Sequence, residues 1–350
     1  YMIKTAEELH RLVTGILLAA GADSRNAERV ADGLVLSELS GVETHGIHHL
    51  VGYVKDIKAG YIVPDAWPEV IKETPASALV KGNWTFGFSI AKYAMDIAIK
   101  KAKEQNVSVV GVVQTSHIGR VGEYAEMAAD QGVISFIWCG GQSEEQQTTV
   151  PFGGMEKVLH TNPLSFGFPA DAGHPMVLDF ATTSTSGSKL VLAQKRKIKA
   201  PPDCIIDKDG NPTNDPEDFF NGGAHLPFGR HKGYAIMLAV EQLGRIFTGS
   251  DDFAEENRGG IYNRHQGVSI IALKADAFGA MDGLVGRSAE LGQRMRSVKP
   301  APGFSEVLVP GDLEHRSREI RRREGIPVSE DTWDELTSLG VSLGVDIDGF

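Results

Sequence analysis

Residues 107–139 read VSVVGVVQTSHIGRVGEYAEMAADQGVISFIWC, and their order decides the architecture. Val107–Val113 is an unbroken apolar run of strand length, as expected of a strand covered on both faces. The polar stretch Gln114-Thr115-Ser116-His117-Ile118-Gly119-Arg120 then opens a predicted helix over Val121–Gln131, and a second strand follows at Val133–Cys139. Upstream, Ser77–Val80 reads as a short strand and Ser89–Gln105 as an amphipathic helix with Ala91, Ala94, Met95, Ala98 and Ile99 on one face. Strand and helix alternating in this way predict an α/β layer.

Working outward, the first forty residues predict two helices. Thr5-Ala6-Glu7-Glu8 is a capping box ahead of Leu9, Leu12, Val13, Ile16 and Leu17 at helical spacing. Gly21-Ala22-Asp23-Ser24 supplies a stop and a new cap, and the second helix carries Ala27, Val30, Ala31, Leu34, Val35 and Leu39 on one face. It runs into Gly41-Val42-Glu43-Thr44-His45-Gly46, with a third helix over about Ile47–Ala59. Toward the C-terminus, Met176–Phe180 and Val268–Leu273 predict strands, and Tyr234–Phe247 and Asp331–Leu339 predict helices. Lys195–Gly223, with four prolines, reads as a long loop. No fixed-period repeat or low-complexity tract is present.

At 350 residues the chain is long enough for about two domains. A net charge of −11 argues against a nucleic-acid partner, because such binding relies on basic faces that displace counterions. The one basic run, Arg316–Arg323, reads as a solvated helix face. Cys139 and Cys204 are the only cysteines and lie far apart, which fits a reducing compartment and argues against a disulfide framework or zinc knuckle. No window has the 18 or so apolar residues of a membrane span, and the start lacks the apolar segment of a secretory signal. A cytoplasmic location and no membrane partner are expected. Tyr1 ahead of Met2 resembles a tag remnant.

Four segments could carry chemistry. Thr44-His45, bracketed by Gly41 and Gly46 at a helix corner, places a proton donor with a pKa near neutrality beside a hydroxyl; the alternative is a plain helix-capping histidine. His45 and His49 are spaced i,i+4, as in some zinc sites, but no third ligand stands nearby and no metal is expected. The segment Gln114–Arg120 follows a buried strand, where α/β layers commonly bind ligands. Asp179 ends the apolar strand Met176–Phe180, as a turn residue or as an orienter of a basic group. Gly229-Arg230-His231-Lys232-Gly233 puts basic side chains at a helix start, a setting for phosphate or carboxylate or for a surface cap. No GxGxxG follows a predicted strand and no GxxxxGK[ST] occurs, so a dinucleotide would have to be held by another geometry.

Taken in order, ELSGVETHGIHHL (38–50), QTSHIGRVGEYA (114–125), PFGG (151–154), TNPLSFGFPA (161–170), MVLDFATT (176–183), LPFGRHKGYA (226–235) and EVLVPGDLEHRSRE (306–319) resemble the malate/L-lactate dehydrogenase family of the non-Rossmann type. The resemblance runs from about residue 3 to residue 335. It implies an α/β fold with a mixed-sheet cofactor- and substrate-binding domain over 76–299, with a small subdomain around 190–235, and an outer helical domain built from both termini (1–75 and 300–350). It further implies a homodimer, a small-molecule substrate, and NAD or NADP held at the strand ends.

Carried over position by position, the resemblance makes His45 the catalytic histidine with Thr44 in the place of the usual serine. Asp179 becomes an active-site acid and His117 a second catalytic histidine, treated as the proton acceptor in the ureidoglycolate branch. Phe180, Ala181, Thr182, His231, Lys232, Gly311 and Asp312 match cofactor contacts. The family's arginines on either side of the histidine motif are Ser40 and His49 here, so substrate anchoring is expected to fall to Arg120, with His49 beside it. The implied reaction is hydride transfer at C2 of a small 2-oxo or 2-hydroxy acid, with Thr44 and Asp179 fixing the tautomer of His45. Reduction of a cyclic 2-imino acid is the alternative. A metal-dependent hydrolase or lyase using His45, His49 and His117 is the rival from another class.

Overall fold

The structure, a computed structural model, describes residues 1–142, 146–171 and 174–347. Its centre is a seven-stranded sheet in the spatial order Glu69–Thr74, Ser77–Lys81, Val107–Val113, Gly267–Lys274, Val133–Gly140, Leu164–Asp171, His174–Phe180. Only Ser77–Lys81 and Val107–Val113 pair in parallel, joined by the helix Gly87–Gln105; every other neighbouring pair is antiparallel. A doubly wound nucleotide fold has a mostly parallel sheet. The mixed, non-Rossmann α/β architecture is therefore the one found.

Two large apolar cores follow from the sequence patterns. One buries Val80, Val110, Val112, Ile137, Val268 and Ile270 of the sheet under Ala94, Ala98 and Ala125 of the helices Gly87–Gln105 and Gly122–Asp130. Small residues on those helices let them approach the sheet closely. At Gly167 the approach is so tight that a Cβ would lie 2.4 Å from the carbonyl oxygen of Ala125.

The other core is helical. Leu9, Leu12, Val13, Ile16 and Leu17 are all fully buried, together with Leu34, Leu50, Ile326 and Leu336. Burying each such side chain contributes about 1.5–3 kcal/mol, and the capping box ahead of them forms as the sequence predicts, with Glu8 N–H donating to Thr5 Oγ1 at 3.1 Å and Thr5 N–H to Glu8 at 2.7 Å. Met2–Lys4 pairs antiparallel with Ile326–Val328, tying this core to both ends of the chain.

Two expectations are corrected. Lys195–Gly223 is not an unstructured loop: Ile205–Ile206 pairs with Pro212–Thr213 and with Ala224–His225, and Asp215 caps the short helix Pro216–Phe220. Of the prolines that suggested a loop, Pro216 starts that helix and Pro212 opens the strand Pro212–Thr213, while Pro201 and Pro202 precede Ile205–Ile206. The basic run is not a simple solvated face either. In the helix Asp312–Glu324, Arg318 donates to Ser40 Oγ at 2.9 Å and Arg321 to Glu43 at 2.6 Å. Among the described residues no helix is long and apolar enough to cross a membrane.

Candidate active site at the sheet end

Antiparallel pairing brings loops from distant parts of the sequence to one end of the sheet. Val107–Val113 leaves there into Gln114–Arg120, Val133–Gly140 into Gly141 and Gln142, and His174–Phe180 into Ala181–Thr183, while Asn162 and Gln266 precede strands that enter. Side chains knit these ends together: Gln266 donates to the Ser116 carbonyl at 3.4 Å, Gln142 to Gln266 at 3.3 Å, and His160 Nδ1 lies 3.0 Å from Gln142 Oε1.

The helix Ser24–Leu39 delivers the histidine corner to the same place. Beyond it, Glu43–His45 and Ile47–His49 form two single 3₁₀ turns hinged at Gly46. His45 and His49 therefore do not share one α-helical face as their spacing suggested, although their ring centroids lie 6.3 Å apart. Glu38 is buried beneath the corner and accepts from Ile47 N–H at 3.0 Å. A Cβ on Gly46 would lie 1.9 Å from Glu38 Oε1, so glycine is needed there for room. Burial pushes the Glu38 carboxyl up to about 7, only partly opposed by the Ile47 N–H.

Thr44 Oγ1 sits 3.1 Å from His45 Nδ1, and His49 Nε2–H donates to the Thr44 carbonyl at 2.9 Å. While neutral, His49 has no second N–H for a substrate carboxylate, so it braces the corner instead of clamping a ligand. His117, from the strand-end loop, lies with its centroid 5.8 Å from that of His45 and 4.8 Å from that of His49. Its Nδ1 is 2.7 Å from Tyr53 Oη. Burial lowers His45 to about 4, helped by His48 and Arg120, and lowers His49 to about 3; burial and the other histidines hold His117 well below the usual range. The corner thus presents neutral imidazoles at pH 7. Among the described residues no group of three or more His, Cys, Asp or Glu is arranged to hold a metal ion.

Arg120, placed by the sequence at the start of a helix, is 3% exposed. It pairs with Glu126 at 2.8 Å, and Glu126 also receives Arg318 from the C-terminal helix. Arg120 Nε is buried with no partner among the described residues. Asp179 accepts from Gly122 N–H at 2.8 Å and lies beside Arg120. Both crowd Gly122, where a Cβ would come within 2.7 Å of Arg120 Nη1 and of Asp179 Oδ2. Crowding by protein raises Asp179 to about 6 against the opposing pull of Arg120 and the Gly122 N–H, although the residue remains open to solvent. Among the described residues no bond joins Asp179 to His45, and Thr44 is the partner of His45 Nδ1. The acid orients the arginine and the helix start instead.

The expected cofactor contacts divide. The rings of Phe180 and Phe228 meet edge to face at 5.4 Å, and Phe228 N–H donates to the Thr182 carbonyl at 3.0 Å. That contact brings Phe180 and Ala181 near the start of the helix His231–Glu241, where His231 and Lys232 are exposed. Thr182 itself is fully buried and its hydroxyl is spent on the carbonyls of Thr161 and Asn162 at 2.9 and 3.0 Å. Gly311 and Asp312 stand beside Pro175 and Val177, toward the other end of that edge strand. The Asp312 carboxylate is filled by Arg296 at 2.6 and 2.9 Å and Val309 N–H at 2.8 Å, with His174 at 2.9 Å. The side chains of Thr182 and Asp312 are thus engaged by protein groups.

Sequence reasoning missed Tyr53, Glu38, Glu126 and Arg318. Tyr53 alone carried a local signal, standing four residues after His49 as His49 stands after His45.

Known proteins resemble this chain over nearly its whole length. The malate/L-lactate dehydrogenase family pattern matches residues 4–337. L-sulfolactate dehydrogenase of Methanocaldococcus jannaschii is 33% identical, covering 100% of this chain and 99% of its own. Malate dehydrogenase of Pyrococcus abyssi is 30% identical over 97% and 94% of the two chains. Among solved structures, the M. jannaschii sulfolactate dehydrogenase superposes with a TM-score of 0.89 at 32% identity, covering 100% and 99% of the two chains. The delta1-piperideine-2-carboxylate reductase of Pseudomonas syringae pvar. tomato superposes with a TM-score of 0.85 at 26% identity, covering 97% and 100%. The chain belongs to the malate/L-lactate dehydrogenase family. It is an oxidoreductase of the dehydrogenase type.

Proposed function

We propose that this chain is an NAD(P)-dependent oxidoreductase acting at C2 of a small 2-oxo or 2-hydroxy acid. The observation that carries the reading is the convergence of neutral His45 and His117 with buried Arg120 at one sheet end. Arg120 keeps Nε unpartnered, and a buried guanidinium with a free edge suits a carboxylate. The same end holds the buried polar atoms Asn162 Oδ1 and Thr183 Oγ1, which have no partners among the described residues, a donor and acceptor set that fits a polar ligand such as a nicotinamide amide. Exposed His231 and Lys232 suit its phosphates or riboses. When bound, the nicotinamide supplies or takes up the hydride.

The protein's own residues manage the proton and the carboxylate. Arg120 holds the acid group. His45 gives a proton to the developing alkoxide during reduction and takes it back during oxidation, a contribution of about 10²–10⁴-fold. An anion seated beside Arg120 raises the pKa of His45 from its low resting position, which readies it as an acid. Asp179 and Glu126 fix Arg120. A homodimer accompanies this reading, supported by the exposed apolar Ile236, Leu238, Ile246 and Phe247 on and after the helix His231–Glu241.

The test is a set of reductions with NADH and with NADPH against pyruvate, oxaloacetate, sulfopyruvate, a larger 2-oxo acid and piperideine-2-carboxylate. Turnover of a 2-oxo acid supports the reading. Turnover of the cyclic imine alone moves the substrate class to imino acids, and no turnover of any of them overturns the reading.

A further inference from the structure

Tyr53 lies on the helix Leu50–Lys58, buried with its ring against those of Phe88, His49 and His117. Its hydroxyl oxygen is 2.7 Å from His117 Nδ1 and bonds to no other protein group among the described residues. Distance alone does not say which partner donates, but the proton inventory does. A phenol has one proton, and burial keeps it there by pushing the Tyr53 pKa well above the usual value. Were His117 Nδ1 protonated, it would donate to the phenol oxygen and strand the phenol proton in a buried setting. A stranded buried donor costs about 1–3 kcal/mol. With the lone pair on Nδ1, the phenol donates to it and nothing is stranded. A neutral imidazole has one N–H, which then sits on Nε2.

We propose that Tyr53 locks His117 as the Nε2–H tautomer, making His117 a hydrogen-bond donor to the substrate's reacting oxygen and leaving proton transfer to His45. The inference rests on the functional reading above, which puts both histidines against the substrate. It departs from the role of proton acceptor that the family resemblance implied for His117. Accepting a proton would require the imidazolium, whose Nδ1–H must displace the Tyr53 proton from its one acceptor among the described residues. A neutral histidine donating from one nitrogen can polarise a carbonyl without being an acid.

His45 is built differently. Its Nδ1 faces the hydroxyl of Thr44, which is only partly buried. An alcohol in that position rotates to accept or to donate, so His45 can gain and lose its Nε2 proton with Nδ1 satisfied in each state. Tyr53 is thus a positioning residue, and the two histidines are divided between donation and proton transfer by the groups on their Nδ1 atoms.

The direct experiment is long-range ¹H–¹⁵N correlation on the intact protein labelled with ¹⁵N-histidine, with the His117 signals assigned by their loss in His117→Gln. The expected pattern at pH 7 is a protonated Nε2 and an unprotonated Nδ1 on His117, and a mixture of tautomers in Tyr53→Phe. A protonated Nδ1 in the native protein overturns the proposal. Because this reading needs no substrate, it stands apart from any failure to find turnover.

Kinetics give a second arm. Glutamine keeps an N–H donor but cannot shuttle a proton, so His117→Gln should retain at least tenfold more kcat than His117→Ala. Equal losses in the two variants would place His117 in proton transfer and end the idea. Tyr53→Phe should lower kcat about tenfold, with the cofactor dissociation constant within twofold of native. If Tyr53→Phe leaves kcat unchanged, the tautomer lock has no catalytic role and the proposal fails.

Discussion

The corner carrying His45 and the helix start carrying Lys232 stand at the same end of one sheet and are built in opposite ways. At the corner every element is held from several sides: Glu38 grips the Ile47 N–H, His49 grips the Thr44 carbonyl, and Arg321 reaches Glu43 from the far end of the chain. At the helix start, His231 and Lys232 are exposed, and Arg230 adopts a left-handed φ of 58° immediately after Gly229 at 56°. A non-glycine residue in such a conformation stores on the order of 1–3 kcal/mol. Chemistry that must place a proton is given a dry, braced support. Recognition of a charged and flexible ligand is given an open one.

The largest effect that would break this contrast is at His45. His45→Ala is expected to lower kcat by 10²–10⁴-fold while cofactor affinity, read by NAD(P)H fluorescence titration, stays within a few-fold. Loss of cofactor binding with turnover preserved would reverse the assignment of the two regions.

Glu38 tests the bracing. A glutamate titrates near 4.5 when exposed and near 7 here, so between those values the folded protein keeps a proton that the unfolded chain has lost. Stability from this group is complete below about pH 4.5 and falls as pH rises through 7, by about 1.4 kcal/mol per unit and roughly 3 kcal/mol in all. Glu38→Gln keeps an acceptor for the Ile47 N–H and removes the titration. Its urea midpoint relative to the native protein should therefore rise between pH 5 and pH 8; a constant difference would mean that Glu38 is ionised throughout.

Arg120→Lys should raise the substrate KM at least tenfold, about 1.4 kcal/mol, with the cofactor KM nearly unchanged, because an ammonium cannot keep Glu126 and also offer a planar edge to a carboxylate. An equal rise in both KM values would take Arg120 out of substrate anchoring. Smallest is Lys232→Ala, expected to weaken NADH or NADPH binding several-fold with kcat preserved. Unchanged dissociation constants for both nucleotides would remove Lys232 from the cofactor site.

The same contrast governs what the sequence could reveal. Thr44-His45 between glycines, the capping box at Thr5, and the strands Val107–Val113 and Val133–Gly140 are local patterns, and the structure reproduces them as secondary structure. Tyr53 and His117 are 64 residues apart, and Glu126 and Arg318 are 192 apart, so each pair exists only through the fold. Leu164–Asp171 escaped as a strand because Gly167 and Pro169 look like breakers, whereas Gly167 is there to admit the Ala125 carbonyl. The run Arg316–Arg323 read as a solvent face because single-sequence charge patterns do not show that Glu126 and Glu43 wait for Arg318 and Arg321. The resemblance named Thr182 and Asp312 but not their structural bonds.

The strand Gly267–Lys274 is hydrogen-bonded on both sides, to Val107–Val113 and to Val133–Gly140. On the ribosome those two neighbours emerge long before the strand that separates them. The 126 residues between Gly140 and Gly267 take on the order of 10 s to make at usual rates of synthesis. During that interval two apolar strands lack their central partner, each with an open edge able to pair with another chain. Soluble yield should therefore respond to translation speed and to chaperone supply over this stretch more than to final stability, and a library of silent codon changes between residues 141 and 266 would expose that dependence without altering a single atom of the mature enzyme.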